Sequence, residues 1–285
     1  MDYEKLLAPV KRAALEAAKS IARNSAGADT PARLETRRKG PNDFVTKVDL
    51  EISEYLMAAL PALLEGSVVI SEESAENLHS TAAQRWIIDP IDGTNNIIFG
   101  APFYAISIGL TAETEPVLGC VLLPATGELF SAAKGGGALA ENLYSSAPPK
   151  AIRVQQADSL GELIVMAETD PYFDRNSNRS VEVIQAVFRR CIDCRITGAA
   201  AIDYSYIAAG RAGVHFCRNL NAWDYAGGAA ILAEAGGVMS QWDGTPLTYR
   251  SKHSSLACCG RAVHEEMLEL LEEFCRPESQ VSAAG

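Results

Sequence analysis

The sequence predicts a mixed α+β protein of layered sheets and helices. Long segments with apolar residues at helical spacing alternate with groups of short, β-branched apolar runs, and no repeat of fixed period stands out. The 285 residues are 48% hydrophobic and 21% charged, the balance of a globular chain with enough apolar surface to bury a sizeable core.

Leu6, Leu7, Val10, Ala14, Leu15, Ala18 and Ile21 mark a first amphipathic helix over the first 22 residues. Residues 24–42 are polar, carry Gly27, Pro31, Gly40 and Pro41, and read as a loop. Asp49 precedes an apolar-periodic stretch and suits an N-cap, and Pro61 kinks or ends that helix. Residues 67–71 and 85–89 are short apolar runs that read as strands, and Thr94 can start a helix over 94–98. Residues 104–111, 116–124 and 128–133 form a strand meander, with Gly135, Gly136 and Gly137 as a turn. The Pro/Ser-rich stretch 145–151 is expected to mark a boundary between an N-terminal part, 1–150, and a C-terminal part, 151–285, of one compact fold. Beyond it we expect a strand at 162–168 and helices at 180–191 and 200–210. A strand at 213–217, a helix at 222–237, two short strands and a last helix at 262–274 complete the pattern.

Charge and cysteines exclude several function classes. The net charge is −11, and Arg37, Arg38 and Lys39 form the only short basic cluster, so no nucleic-acid footprint stands out. No apolar run approaches the roughly 18 residues of a membrane span. Asp2, Glu4 and Lys5 interrupt the N-terminal segment, which is not a secretory signal. Seven cysteines, an odd number in a long chain, fit reduced thiols in a cytoplasm. Cys191 and Cys194 have zinc-ligand spacing without a second pair, and His79, His215, His253 and His264 are scattered, so no nitrogen- or sulfur-ligated metal site is expected.

The acidic residues are more informative. Asp89 closes an apolar strand, and Pro90 forces a turn, so Asp89 and Asp92 can converge on one point. Two carboxylates so close repel unless a shared proton or a divalent cation intervenes. Oxygen ligands without His or Cys nearby suit a hard cation, Mg²⁺, Mn²⁺ or Ca²⁺. A charged turn with a helix cap is the plainer reading of the same residues. Glu72, at the end of a second buried strand, and Asp224, at the start of a helix, favour the cation.

With these residues in view, the chain resembles the inositol monophosphatase family. DFVTKVD (43–49), SEES (71–74), DPIDGTNN (89–96) and WDYAGGAAILAEAGG (223–237) stand in that family's order and spacing, and the likeness covers about residues 5 to 270. The resemblance implies a layered α/β/α/β/α sandwich of the sugar-phosphatase type and an Mg²⁺-dependent, lithium-sensitive phosphomonoesterase, with Mn²⁺ as a substitute ion. It would place Glu72, Asp89 and the Ile91 carbonyl on a first Mg²⁺, and Asp89, Asp92 and Asp224 on a second. Glu72 with waters would hold a third. Thr94 and Asp49, with Glu72 nearby, would orient the attacking water, and the Gly93 and Thr94 amides would hold the phosphate. Lys39 would support the site's water network.

On the substrate side the resemblance assigns Gly198, Ala199 and Ala200, together with Asp92 and Asp224. Cys217 stands where inositol-specific members usually carry a Glu seven residues before the WD aspartate, and a thiol is a poor acceptor. The expected reaction is hydrolysis of a small phosphomonoester, myo-inositol 1-phosphate first. Histidinol phosphate, fructose 1,6-bisphosphate, 3′-phosphoadenosine 5′-phosphate and NADP are the alternative substrates. The rival of another class is a partner-binding protein that keeps the metal site. A homodimer is expected from the resemblance.

Overall fold

The computed structural model describes residues 1–25, 35–40, 43–169 apart from 75 and 78, 179–250 and 252–275. Helix α1 (Glu4–Ser25) buries Val10, Ala13, Ala14, Ala17 and Ile21 along one face. It packs with α2 (Lys47–Ala59) on a seven-stranded sheet. That sheet runs in chain order from β3 (Val68–Ser71) through β4 (Gln84–Asp92), β5 (Ala105–Ala112), β6 (Glu115–Leu123) and β7 (Glu128–Ala133) to β8 (Ala138–Asn142) and β9 (Lys150–Ile152). Its β3–β4 pair is parallel and the rest are antiparallel.

Side chains alternate across this sheet. Trp86, Ile88, Ile106, Ile108, Leu118, Cys120 and Leu122 face α1 and α2. Ile87, Ala105, Val121 and Leu123 face the other way, towards α5 (Ala200–Ala208) and α6 (Ala222–Glu234). Helix α6 lies almost against the strands: a Cβ on Gly119 would meet the Gly227 carbonyl oxygen at 2.1 Å, and one on Gly109 would meet the Ala226 carbonyl carbon at 2.6 Å. Only glycines allow that approach, and it fixes where the first turn of α6 sits.

A five-stranded sheet covers the far side of α5 and α6. Its order is β11 (Asp193–Arg195), β10 (Ile164–Ala167), β12 (Val214–Leu220), β14 (His253–Cys258), β13 (Val238–Ser240). Helices α4 (Ser180–Phe188) and α7 (Arg261–Cys275) close the outside. The layers are thus helix, sheet, helix, sheet, helix.

Several expectations change in detail. Part of the expected loop 24–42 is β1 (Thr36–Gly40), paired with β2 (Asp43–Thr46); residues 26–34 lie outside the described residues. Strands β8, β9 and β11 were not expected: they are short, and half-buried or exposed side chains blur their pattern. Asp49 is not the N-cap of α2. Thr46 is, and Asp49 sits three residues on, its Oδ2 accepting from the Thr46 amide at 2.9 Å in a capping box. Pro61 does end the helix, opening a short 3₁₀ turn over Pro61–Leu63.

Candidate active site

The chain does not leave the sheet at Pro90. Strand β4 continues to Asp92 through an irregularity: Asp89 pairs with Ser107 and Asp92 with Ala105, so three steps on β4 answer two on β5. This extra residue is a β-bulge, and Pro90, which has no N–H to donate, falls inside it. The consequence is chemical. In a regular strand residues three apart point to opposite faces, whereas the bulge puts Asp89 and Asp92 on the same face, the one turned to α5 and α6. Ile88 and Ile91 stay on the other face, buried against α1 and α2.

Two further elements deliver carboxylates to this point, and a third supplies an amide. Glu72 follows β3, and its amide donates to the Ile88 carbonyl at 3.3 Å, which carries the strand pairing on to the level of Asp89. Asp224 lies in the first turn of α6, where its Oδ2 accepts from the Asn221 amide at 2.7 Å. Asp92 Oδ2 accepts from the Ala201 amide at the start of α5, at 2.7 Å. Gly93 (φ 89°) then turns the chain into α3 (Thr94–Phe99); a Cβ there would strike the Phe103 carbonyl oxygen at 2.5 Å. Asn96 ties the neighbouring loops together, its amide donating to the carbonyls of Phe103 at 2.7 Å and Thr197 at 2.8 Å.

These groups line a cavity of about 400 Å³ whose wall includes Glu72, Asp89, Ile91, Asp92, Gly93, Thr94, Gly198, Ala200 and Asp224. Asp49 lies behind it, joined to Thr94 by a hydrogen bond. Ala199 and Cys217 are not on the wall. Ala199 is buried at the start of α5, and Cys217, 1% exposed on β12, is packed in the core opposite Ser255. Glu168, Thr169, Asn219 and Lys252 are on the wall but were not anticipated. Glu168 had a signal: it closes the apolar run of β10 as Glu72 closes that of β3. Lys252 and Asn219 sit in no pattern that spacing reveals.

Burial raises the pKa of Asp89, Asp92 and Asp224 well above the usual carboxylate range, and their neighbours add to it. Glu72, Asp92 and Asp224 act on Asp89; Glu168 and Asp224 on Asp92; Glu72 and Glu168 on Asp224. Burial likewise raises Asp49. Lys39 Nζ offsets part of this charge, at 3.0 Å from Glu72 Oε1 and 2.6 Å from Glu73 Oε1. Burial disfavours the Lys39 charge, but the two carboxylates outweigh it and the ammonium is held. Asp89 Oδ1 is buried without a hydrogen-bond partner among the described residues. Oxygen donors only, mutual repulsion and an orphaned carboxylate oxygen fit a hard divalent cation.

A second cluster mixes nitrogen with oxygen. Glu168, Asp203 and His215 bring one ligand-type atom each within 4.8 Å of one another. No motif spacing joins them: β10, α5 and β12 bring them together. His215 Nε2 lies 3.9 Å from Glu168 Oε1 and 3.8 Å from Asp203 Oδ2. The Cys191 and Cys194 sulfurs are free thiols 3.8 Å apart. No described helix is long and apolar enough to cross a membrane.

A five-layered sandwich with an oxygen-lined acidic cavity at the strand ends is the architecture of a metal-dependent phosphomonoesterase. The sequence profile of the inositol monophosphatase family matches residues 2–275, and the chain belongs to that family. It is 36% identical over 244 residues to the inositol-1-monophosphatase ImpA of Mycolicibacterium smegmatis, covering 85% of this chain and 84% of that one. It is 35% identical over 234 residues to the Nus factor SuhB of Vibrio cholerae, covering 82% and 84%. Among solved structures, the extragenic suppressor protein suhB of Bartonella henselae superposes with a TM-score of 0.82 at 26% identity, covering 94% of this chain and 99% of that one.

Proposed function

We propose that this phosphatase hydrolyses a small phosphomonoester with Mg²⁺, and that myo-inositol 1-phosphate is its substrate. One observation carries the reading: the bulge in β4 turns Asp89 and Asp92 onto one face, opposite Asp224 at the start of α6. Glu72, Asp89, Asp92, Asp224 and the Ile91 carbonyl are the groups that would hold two to three cations. When bound, these would neutralise the carboxylates, bind phosphate oxygens and make water more acidic.

The chain's own residues do the rest. Thr94 Oγ1 lies 3.0 Å from Asp49 Oδ1 and 3.0 Å from the Ile91 carbonyl oxygen. Its proton is therefore directed into the protein, and the hydroxyl oxygen is left to accept from a water in the cavity. Gly93 and Thr94 hold the phosphate end. Lys39 and Lys252 supply positive charge to the wall of an acidic protein and draw an anion in. Gly198 and Ala200 border the leaving-group side.

Relatives named inositol-1-monophosphatase in Mycolicibacterium smegmatis and Rhizobium meliloti support the substrate. Relatives named Nus factor SuhB support a second reading, binding to a protein partner with the cation site intact. A cytoplasmic homodimer belongs to the same proposal, and a sedimentation mass of one chain would contradict it. The substrate is tested with a panel: both enantiomers of myo-inositol 1-phosphate, histidinol phosphate, 3′-phosphoadenosine 5′-phosphate, fructose 1,6-bisphosphate, NADP and β-glycerophosphate, with and without lithium. Preferred hydrolysis of the inositol ester, suppressed by lithium, is the expected result. Preference for another ester would keep the chemistry and replace the substrate.

A further inference from the structure

The leaving-group end of the cavity contains a carboxylate that the hydrolysis itself does not use. Glu168 closes β10, and its amide donates to the Phe216 carbonyl of β12 at 3.2 Å. The two strands are parallel, with Ala167 level with Phe216. One step further, Glu168 stands level with Cys217, and residues level across a sheet point to the same face. Cys217 is short and ends in the core, whereas the longer Glu168 side chain reaches the cavity wall.

Its surroundings define what it can bind. The Glu168 side chain is 14% exposed, and among the described residues its carboxylate accepts no hydrogen bond. Behind it lie His215 and Asp203, both fully buried, with His215 Nε2 3.9 Å away, too far for a hydrogen bond. Asp203 is itself anchored by Thr197, whose hydroxyl donates to Asp203 Oδ1 at 2.6 Å. Glu168 is thus backed by a fixed wall and keeps its acceptor oxygens for something in the cavity. Thr169, Asn219 and Lys252 share that wall. The Lys252 ammonium opposes a second cation there, while Thr169 and Asn219 suit hydroxyls.

We infer that Glu168 forms, with Thr169 and Asn219, a subsite for the hydroxyl groups of a polyol phosphate, and that Glu168 sets the preference for such esters. The inference rests on the hydrolysis proposed above and deepens it. A substrate hydroxyl donates to the Glu168 carboxylate, and an ester with a bare leaving group leaves that half-buried acceptor unpaired. Hydrogen bonds to charged groups are the stronger ones, and their loss corresponds to roughly a tenfold to hundredfold change.

The test compares myo-inositol 1-phosphate with phenyl phosphate in excess Mg²⁺, on the full-length wild type, Glu168→Gln and Glu168→Ala. The ratio of kcat/KM values, inositol ester over phenyl ester, is expected to fall roughly tenfold or more in Glu168→Ala and less in Glu168→Gln, mainly through KM. Thermal melting checks that each variant is folded, and the near-isosteric Gln keeps the test open should Ala fail to fold. An unmoved ratio in folded variants overturns the subsite and leaves the hydrolysis reading standing. So does a wild-type preference for phosphoethanolamine over the inositol ester, which would make Glu168 an ammonium pocket. If the wild type hydrolyses neither ester, the hydrolysis reading fails separately. Calorimetric titration of the same esters into wild type and Glu168→Ala then decides the subsite: weaker binding of the inositol ester alone supports it, and equal affinities overturn it.

Discussion

Thr94 and Asp49 meet across 45 residues of sequence, through a 3.0 Å hydrogen bond from the Thr94 hydroxyl to Asp49 Oδ1. The other oxygen of the same carboxylate caps α2 through the Thr46 amide. One buried side chain therefore fastens a helix start and aims a hydroxyl at the cavity. The two roles separate by mutation. Thr94→Val keeps the shape and removes the hydroxyl; phosphate release is expected to fall roughly 10²–10⁴-fold with little change in melting temperature. Asp49→Ala also loses its half of the capping box and strands two donors, and a urea titration should show a loss of about 1–3 kcal/mol.

The close seat of α6 on the sheet gives a second prediction. Gly119→Ala places a methyl 2.1 Å from the Gly227 carbonyl oxygen, a backbone atom that cannot rotate away. Overpacking of this kind costs about 1–3 kcal/mol in a urea titration. Because α6 carries Asp224, turnover should drop as well, although residue 119 lies outside the cavity wall.

Cation removal should make stability depend on pH. Asp89, Asp92 and Asp224 have pKa values raised above 3.8, first by burial and then by the charge of neighbouring carboxylates, Glu72 for Asp89 and Asp224 and Glu168 for Asp92. Between 3.8 and the raised values the folded state holds more protons than the unfolded chain. Stability without cations is therefore greatest at low pH and falls as pH rises through that window. On the proposed ligand set Mg²⁺ would bind the ionised form and reverse the loss. At about one hundred times its dissociation constant it adds about 2.7 kcal/mol. Melting curves in EDTA and in Mg²⁺ should diverge towards neutral pH and converge near pH 4; parallel curves would contradict the proposed ligand set.

The sequence revealed the main helices, the central meander and the four carboxylates, because each rests on a local rule: helical periodicity, a strand end, a helix start. It missed features that depend on tertiary contact. Pro90 reads as a turn because proline cannot donate, yet here the missing donor is absorbed in a bulge. Asp49 reads as an N-cap, although Thr46 three residues earlier is the cap. Residue 217 reads as a substrate contact by resemblance, whereas the fold buries Cys217 and presents Glu168 from the neighbouring strand. That exchange comes from the pairing of β10 with β12, separated by some fifty residues in the chain, and no spacing records it.

The most direct measurement is phosphate release from myo-inositol 1-phosphate by the full chain in Mg²⁺, in EDTA, and after Mg²⁺ is restored, with Asp92→Asn in parallel. The cation site formed by the β4 bulge predicts release in Mg²⁺, none in EDTA, recovery on re-addition, and a loss of several orders of magnitude in a folded Asp92→Asn variant. Undiminished release in EDTA, or a wild-type rate from Asp92→Asn, would contradict it.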